Sequence, residues 1–157
     1  MAKSWREKLN KEDLPKIVEL DAKVSQKMKG AKIMVVPHPK DVYEIMETVP
    51  EGKLITVNEI RKILAKKYRT DTACPLTTGI FIWIAANASA EMVLDGVSDK
   101  VIPYWRTLKS GGELVDKYPG GVEHQKEKLE SEGFEVVKKG KKLVVKNFQK
   151  YLWEVDF

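Results

Sequence analysis

The sequence predicts an α+β fold organised around two consecutive helices, and three observations point to it. Thr56-Val57-Asn58-Glu59 has the Ser/Thr-x-x-Glu form of a capping box, which starts a helix at Val57. Pro75 precedes the apolar run 80–86, so a second, buried helix follows after a short basic turn. Near the C-terminus, Phe134-Glu135-Val136-Val137 and Leu143-Val144-Val145 flank Lys-Lys-Gly-Lys-Lys, which reads as a β-hairpin with a basic tip. The chain has 157 residues, which fits one domain with short additions, since an ordinary domain takes about 100–200 residues.

The remaining elements follow in order. The first 30 residues mix Lys and Glu with sparse apolar positions (Trp5, Leu9, Leu14, Ile17, Leu20, Val24), and Pro15 interrupts any helix there. They read as an arm, partly extended, that packs onto the domain. Ile33-Met34-Val35-Val36 is a short strand, stopped by Pro37 and Pro39. Val42, Ile45, Met46 and Val49 stand at i, i+3, i+4 and i+7, one face of a helix over 41–49, and Pro50-Glu51-Gly52 turns the chain. In the Val57 helix the apolar face is Val57, Ile60, Ile63, Leu64 and Tyr68. The cluster Arg61, Lys62, Lys66, Lys67 and Arg69 lies on its other side, equally compatible with a solvated face and with phosphate contacts. A charged helix over 122–132 is closed by Gly133.

Composition excludes several function classes. The single cysteine, Cys74, rules out an intramolecular disulfide, and with only His38 and His124 the chain lacks ligands for a zinc centre. No cofactor is expected. The apolar run 80–86 meets Asn87 and Glu91 well before the ~20 residues of a membrane span, so no membrane is expected. Lys3, Arg6, Glu7 and Lys8 at the N-terminus leave no apolar centre for a signal peptide, and a cytoplasmic location is the expectation. The net charge of +5 invites a polyanionic partner. Yet residues 71–133 carry six basic and ten acidic side chains, and the basic excess lies in residues 1–32, the cluster from Arg61 to Arg69, and the hairpin.

The segments 41–49, Gly52-Lys53-Leu54-Ile55-Thr56, Ile102-Pro103-Tyr104-Trp105-Arg106-Thr107, Ser110-Gly111-Gly112 and Tyr118-Pro119-Gly120-Gly121, in this order, resemble a known family. It is the DNA-binding domain of the O6-alkylguanine-DNA alkyltransferases and their alkyltransferase-like relatives, matched over about 39–133. The resemblance implies a winged helix-turn-helix domain over 39–133, an N-terminal arm over 1–38 and a C-terminal β-hairpin extension over 134–157. In the repair enzymes a Pro-Cys-His-Arg cysteine takes the alkyl group from a flipped guanine, its thiolate favoured by a His-Glu relay. Here Tyr104 and Trp105 replace the cysteine and histidine, while Pro103, Arg106 and the relay glutamate, Glu132, remain. A phenol of pKa near 10 is a poor substitute for a thiolate, so no enzyme is expected. Cys74, 30 residues away, reads as a small buried residue.

The non-catalytic relatives bind and flip O6-alkylguanine and hand the lesion to other repair proteins. The expected partners are therefore double-stranded DNA, alkylated or not, and a DNA-repair protein; no small-molecule substrate is expected. The family's intercalating arginine falls at Leu76, an apolar wedge without donors. Val57 takes the place of a phosphate-rotating tyrosine, and 87–102 is about ten residues longer than in the family. Thr77 and Thr78 are placed to bond phosphates, and Lys109, Ser110 and Gly111 belong to the wing loop. Tyr118 and Pro119 match a Tyr-Ser pair that contacts the guanine. Tyr104 and Trp105 are either a base-stacking platform or a plug in the vacated pocket.

Overall fold

A computed structural model describes residues 4–154; Lys3 and the outermost ends of the expected arm and hairpin extension lie outside them. Its helices begin where the local chemistry directs. Helix α3 (Pro39–Glu47) starts two residues earlier than its apolar face suggests. His38 is the reason: its Nδ1 accepts from Lys40 N (3.0 Å), and its own N–H donates to Asp41 (3.4 Å). Val42, Ile45, Met46 and Val49 are all buried, as the periodicity requires. Helix α4 (Val57–Tyr68) opens on the capping box, with Asn58 N donating to Thr56 Oγ1 (3.2 Å) and Thr56 N to Glu59 Oε1 (2.9 Å). It ends on Arg69 in the left-handed region, and Thr70 N closes the last turn on Ala65 O (2.9 Å).

Helix α5 (Pro75–Leu94), with Pro75 at its first position, is the centre of the domain; α3, α4 and α1 (Trp5–Leu9) all pack on it. It runs well past the residues expected to interrupt it. Asn87 Nδ2 donates to Trp83 O (2.7 Å) and across to Lys117 O (2.9 Å), Ser89 Oγ accepts from Ile102 N (2.8 Å), and Glu91 accepts from the backbone of Trp5 and Arg6 (3.1 and 3.3 Å). Its polar residues therefore fasten neighbouring segments rather than end the helix. With 20 residues it is long and apolar enough to cross a membrane by length and composition, a length the sequence reading did not anticipate. Here it is packed by the surrounding helices.

The first 38 residues hold more regular structure than an extended arm. Beyond α1 they form β1 (Lys16–Glu19), α2 (Ala22–Lys27) and β2 (Ile33–Val36). β1 and β2 pair antiparallel with Ile17 opposite Val35. β2 then pairs in parallel with β4 (Thr72–Ala73), which lies in the turn between α4 and α5. A second, parallel pair joins β3 (Ile55–Thr56) to β5 (Thr107–Leu108). Helix α6 (Gly121–Ser131) leads to the hairpin β6 (Val136–Lys139) and β7 (Lys142–Val145), which turns through Gly140 and Lys141.

Two apolar clusters hold these parts. The larger joins α1, α3, α4, α5, β2 and Tyr104; the smaller, Leu54, Leu108, Leu114, Leu129, Phe134 and Val145, lies beneath the wing and hairpin. Beyond the hairpin, Leu54 N donates to Tyr151 O and Trp153 N to Leu54 O (both 2.8 Å), which ties the C-terminal segment to the strand before α4.

Candidate nucleic-acid interface

Helix α5, the start of α4 and the loop after β5 enclose a cleft of about 430 Å³. Gly79, Ile82 and Trp83 line it from α5 at i, i+3 and i+4, Val57 from α4, and Lys109, Val115, Asp116 and Lys117 from the loop. Three contacts fix its walls. Asn87 bonds Lys117 O, Asn58 Nδ2 donates to Ser110 Oγ (3.0 Å), and Trp5 meets Trp83 edge-on at 5.9 Å. Among the lining residues, Lys109 Nζ lies 3.5 Å from Asp116, and it lies 3.9 Å from Glu113. Four apolar side chains, one of them an indole, beside these charges suit a flat aromatic group with polar edges. Cys74 does not line the cleft; it caps α5, and its carbonyl accepts from Thr78. Among the described residues no group of three or more His, Cys, Asp or Glu is placed to hold a metal ion.

The segment from Pro103 to Arg106 does not line this cleft. Tyr104 is 3 % exposed, its ring edge-on to Tyr118 (5.1 Å) and to Trp105 (5.4 Å), its hydroxyl donating to Pro119 O (3.4 Å). Of the two readings for this aromatic, the packing is that of a plug. Burial pushes its pKa up, which holds the phenol neutral. Tyr118 is buried as well and donates to Thr107 O (2.8 Å), so its hydroxyl faces the interior rather than a guanine. Burial raises its pKa well above the usual tyrosine value.

Arg106 likewise turns inward, contrary to a role on DNA. It grips Glu132 through Nε (2.9 Å to Oε1) and Nη2 (2.7 Å to Oε2), and Nη1 donates to Val49 O (2.8 Å). Trp105 Nε1 donates to the same carboxylate (2.9 Å), and Arg106 and Lys128 stand over the indole at 5.6 and 5.0 Å. In the fold Glu132 ties Trp105 and Arg106 together through one carboxylate. Burial pushes the Glu132 pKa up, but the bonds from Arg106 and Trp105, with the Arg106 and Lys128 charges, hold it below the usual value.

The other expected contacts divide. Leu76 is 73 % exposed in the first turn of α5. Thr78 is fully buried with its hydroxyl donating to Cys74 O (2.7 Å), and the Thr77 hydroxyl is buried with no partner among the described residues. Neither hydroxyl is offered to a phosphate. Of the basic cluster, Arg61 bonds Ala73 O (2.9 Å) and Thr72 Oγ1 (3.0 Å), and Lys67 pairs with Asp41 (2.8 Å). Those two positions are structural. Lys109, Ser110 and Gly111 form the loop beside the cleft, where Gly111 and Gly112 take φ of 82° and 81°. A Cβ at Gly112 would lie 2.4 Å from the Phe148 ring. Gly112→Ala therefore combines backbone strain with a steric clash and is expected to cost about 2–4 kcal/mol, read as a lower urea midpoint.

Trp83, Asp116 and Lys117 were not singled out from the sequence, nor was Gln125. That residue is fully buried, accepts from Val115 N (2.7 Å) and donates to Trp105 O (3.1 Å), joining the cleft wall to the Tyr104–Arg106 segment. Its signal was a glutamine on the Val122–Leu129 face of α6, where an apolar residue is expected.

The arrangement is one of two helices with a loop beside the second and a buried segment behind them. Two solved structures share it, each at 20 % identity, covering 74 % of this chain and 94 % of the other. They are S. pombe Atl1 in complex with damaged DNA containing O6-carboxymethylguanine (TM-score 0.52) and S. pombe ATL in complex with DNA (TM-score 0.51). No family model matches the sequence, and no curated protein is similar enough to match.

Proposed function

We propose that this is a non-enzymatic duplex-DNA-binding protein of the alkyltransferase-like kind, which takes a modified guanine out of the stack and marks it for repair. The observation that carries this reading is the cleft between α5 and the wing loop, open to solvent and walled by Val57, Ile82, Trp83 and Val115. Its volume falls within the ~300–1,000 Å³ usual for small-ligand sites. The S. pombe protein of the same fold was solved on DNA containing O6-carboxymethylguanine, which makes an O6-modified guanine the first lesion to test. Exposed Leu76 supplies an apolar wedge at the helix end that would enter the duplex. Tyr104, at the position where the resembled family has its acceptor cysteine, is buried, neutral and outside the cleft lining, which supports a reading without alkyl transfer.

The test compares affinity for an O6-methylguanine duplex with that for its unmodified counterpart at two salt concentrations. A preference of tenfold or more, about 1.4 kcal/mol, is expected for the lesion. Gly79→Leu supplies the internal control. A Cβ at Gly79 meets nothing within 4 Å and Gly79 lines the cleft, so a leucine there narrows the cleft and favours the helix. This variant should lose the preference and keep binding to plain duplex. Equal, salt-steep binding of both duplexes by the wild type would instead identify a winged-helix module without lesion specificity. Binding to neither would point to a protein partner.

A further inference from the structure

We propose that the β6–β7 hairpin is a second wing that grips the phosphate backbone of duplex DNA beside the cleft, an inference that rests on the duplex-binding reading above. The helix and loop that form the cleft are poor in positive charge: residues 71–133 carry six basic side chains against ten acidic ones. Two of the six, Arg106 and Lys109, already face carboxylates. A polyanion held there needs cations from elsewhere in the fold.

The hairpin supplies them where they are needed. Leu114 N donates to Leu143 O (3.0 Å), and Glu113 bridges antiparallel to Val144, so β7 is an added strand on the wing. Antiparallel pairing directs the chain from Val144 back to Gly140 along the same course as the chain from Glu113 forward to Lys117. The tip thus extends on the side of the cleft wall. Glu113 also joins the two charge groups, lying 3.9 Å from Lys109 of the cleft and 3.8 Å from Lys142 of the hairpin. Lys138, Lys139 and Lys141 are exposed, and no carboxylate among the described residues pairs with them. The platform beneath is firm: Val145 is buried with Leu114 and Leu129, and Phe148 presses on Gly112 of the wing. Lys139 and Lys142, paired across one face of the hairpin, flank Lys141 in the two-residue turn and form a contact for a regular array of phosphates, while Lys138 shares the opposite face with Leu143.

The test is the salt dependence of affinity for an unmodified duplex. Each phosphate contact contributes about 0.9 to the slope of log K against log salt. Lys138→Gln/Lys139→Gln/Lys141→Gln should lower the slope by roughly two to three and leave the ratio of lesion to plain affinity unchanged. A matched variant, Lys16→Gln/Lys23→Gln/Lys27→Gln, removes the same charge from exposed positions on the arm and should change the slope by less than about one. An unchanged slope in the hairpin variant, or an equal fall in the arm variant, overturns the second wing and leaves duplex binding standing. So does a hairpin variant that loses only its adsorption to phosphatidylserine vesicles. Failure of the wild type to bind any duplex overturns both readings together.

Discussion

Glu132→Ala is expected to lower the unfolding free energy by about 3–5 kcal/mol, because it strands the Arg106 guanidinium in the interior. The two side chains are 13 % and 8 % exposed, and three donors from Trp105 and Arg106 converge on one carboxylate. Arg106→Ala should cost about as much, since it leaves the carboxylate uncompensated and removes the tie to Val49 O. The pair itself is another matter. Arg106→Met/Glu132→Leu fills the volume without charge and should recover most of either single loss, giving a large coupling in a double-mutant cycle of urea midpoints. Losses that simply add would show that the clamp is not an interacting unit.

The same clamp fixes a pH dependence and its sign. The folded-state pKa of Glu132 lies below its ordinary value of 4.5, so the folded protein binds the proton less readily than the unfolded chain. Its contribution is therefore complete above that ordinary value and is lost as pH falls through the lower folded one. Urea midpoints taken from about pH 6 down to pH 3 should fall more steeply for the wild type than for Glu132→Gln. Parallel curves would show that other carboxylates dominate.

What the sequence made legible was local. The capping box at Thr56, the Val42–Val49 face and Pro75 at a helix start each involve groups within one or two turns, so residue spacing fixes their geometry. The strands of the arm were obscure for a physical reason. β1 holds its place by backbone pairing to β2, while only Val18 of its four residues is even half-buried, so no apolar alternation marks it. Asn87 and Glu91 resembled a break in α5 because their partners, Lys117 O and the N–H groups of Trp5 and Arg6, lie far away in sequence. The cleft was hidden for a related cause. In a run that is apolar at every position from 80 to 86, periodicity cannot show that Trp83 faces a wall and Phe81 the core. Whether Tyr104 and Arg106 face outward or inward depended on Tyr118 and Glu132, partners that only the fold brings to them.

Tyr104→Cys, which puts a thiol at this position, is expected to yield a less stable protein that takes no alkyl group. Tyr104 fills the space between Trp105, Tyr118 and the larger core, and truncating a buried aromatic to Ala costs about 3–5 kcal/mol. Cysteine refills only part of that volume, so most of the loss should persist as a lower urea midpoint. The thiol would also stay protonated. Its setting is desolvated, which raises a thiol pKa, and the neighbour that would act as base is an indole, whose N–H already donates to Glu132. Intact-protein mass spectrometry after incubation with an O6-methylguanine duplex should therefore show no methyl adduct. Adding Trp105→His restores a group that can accept the proton, but it also removes an indole that Arg106 and Lys128 stack against. The double variant should be less stable still. A methyl adduct on the single Tyr104→Cys variant would mean that the surrounding fold activates a nucleophile there, and that one side chain rather than the packed segment decides whether alkyl transfer occurs.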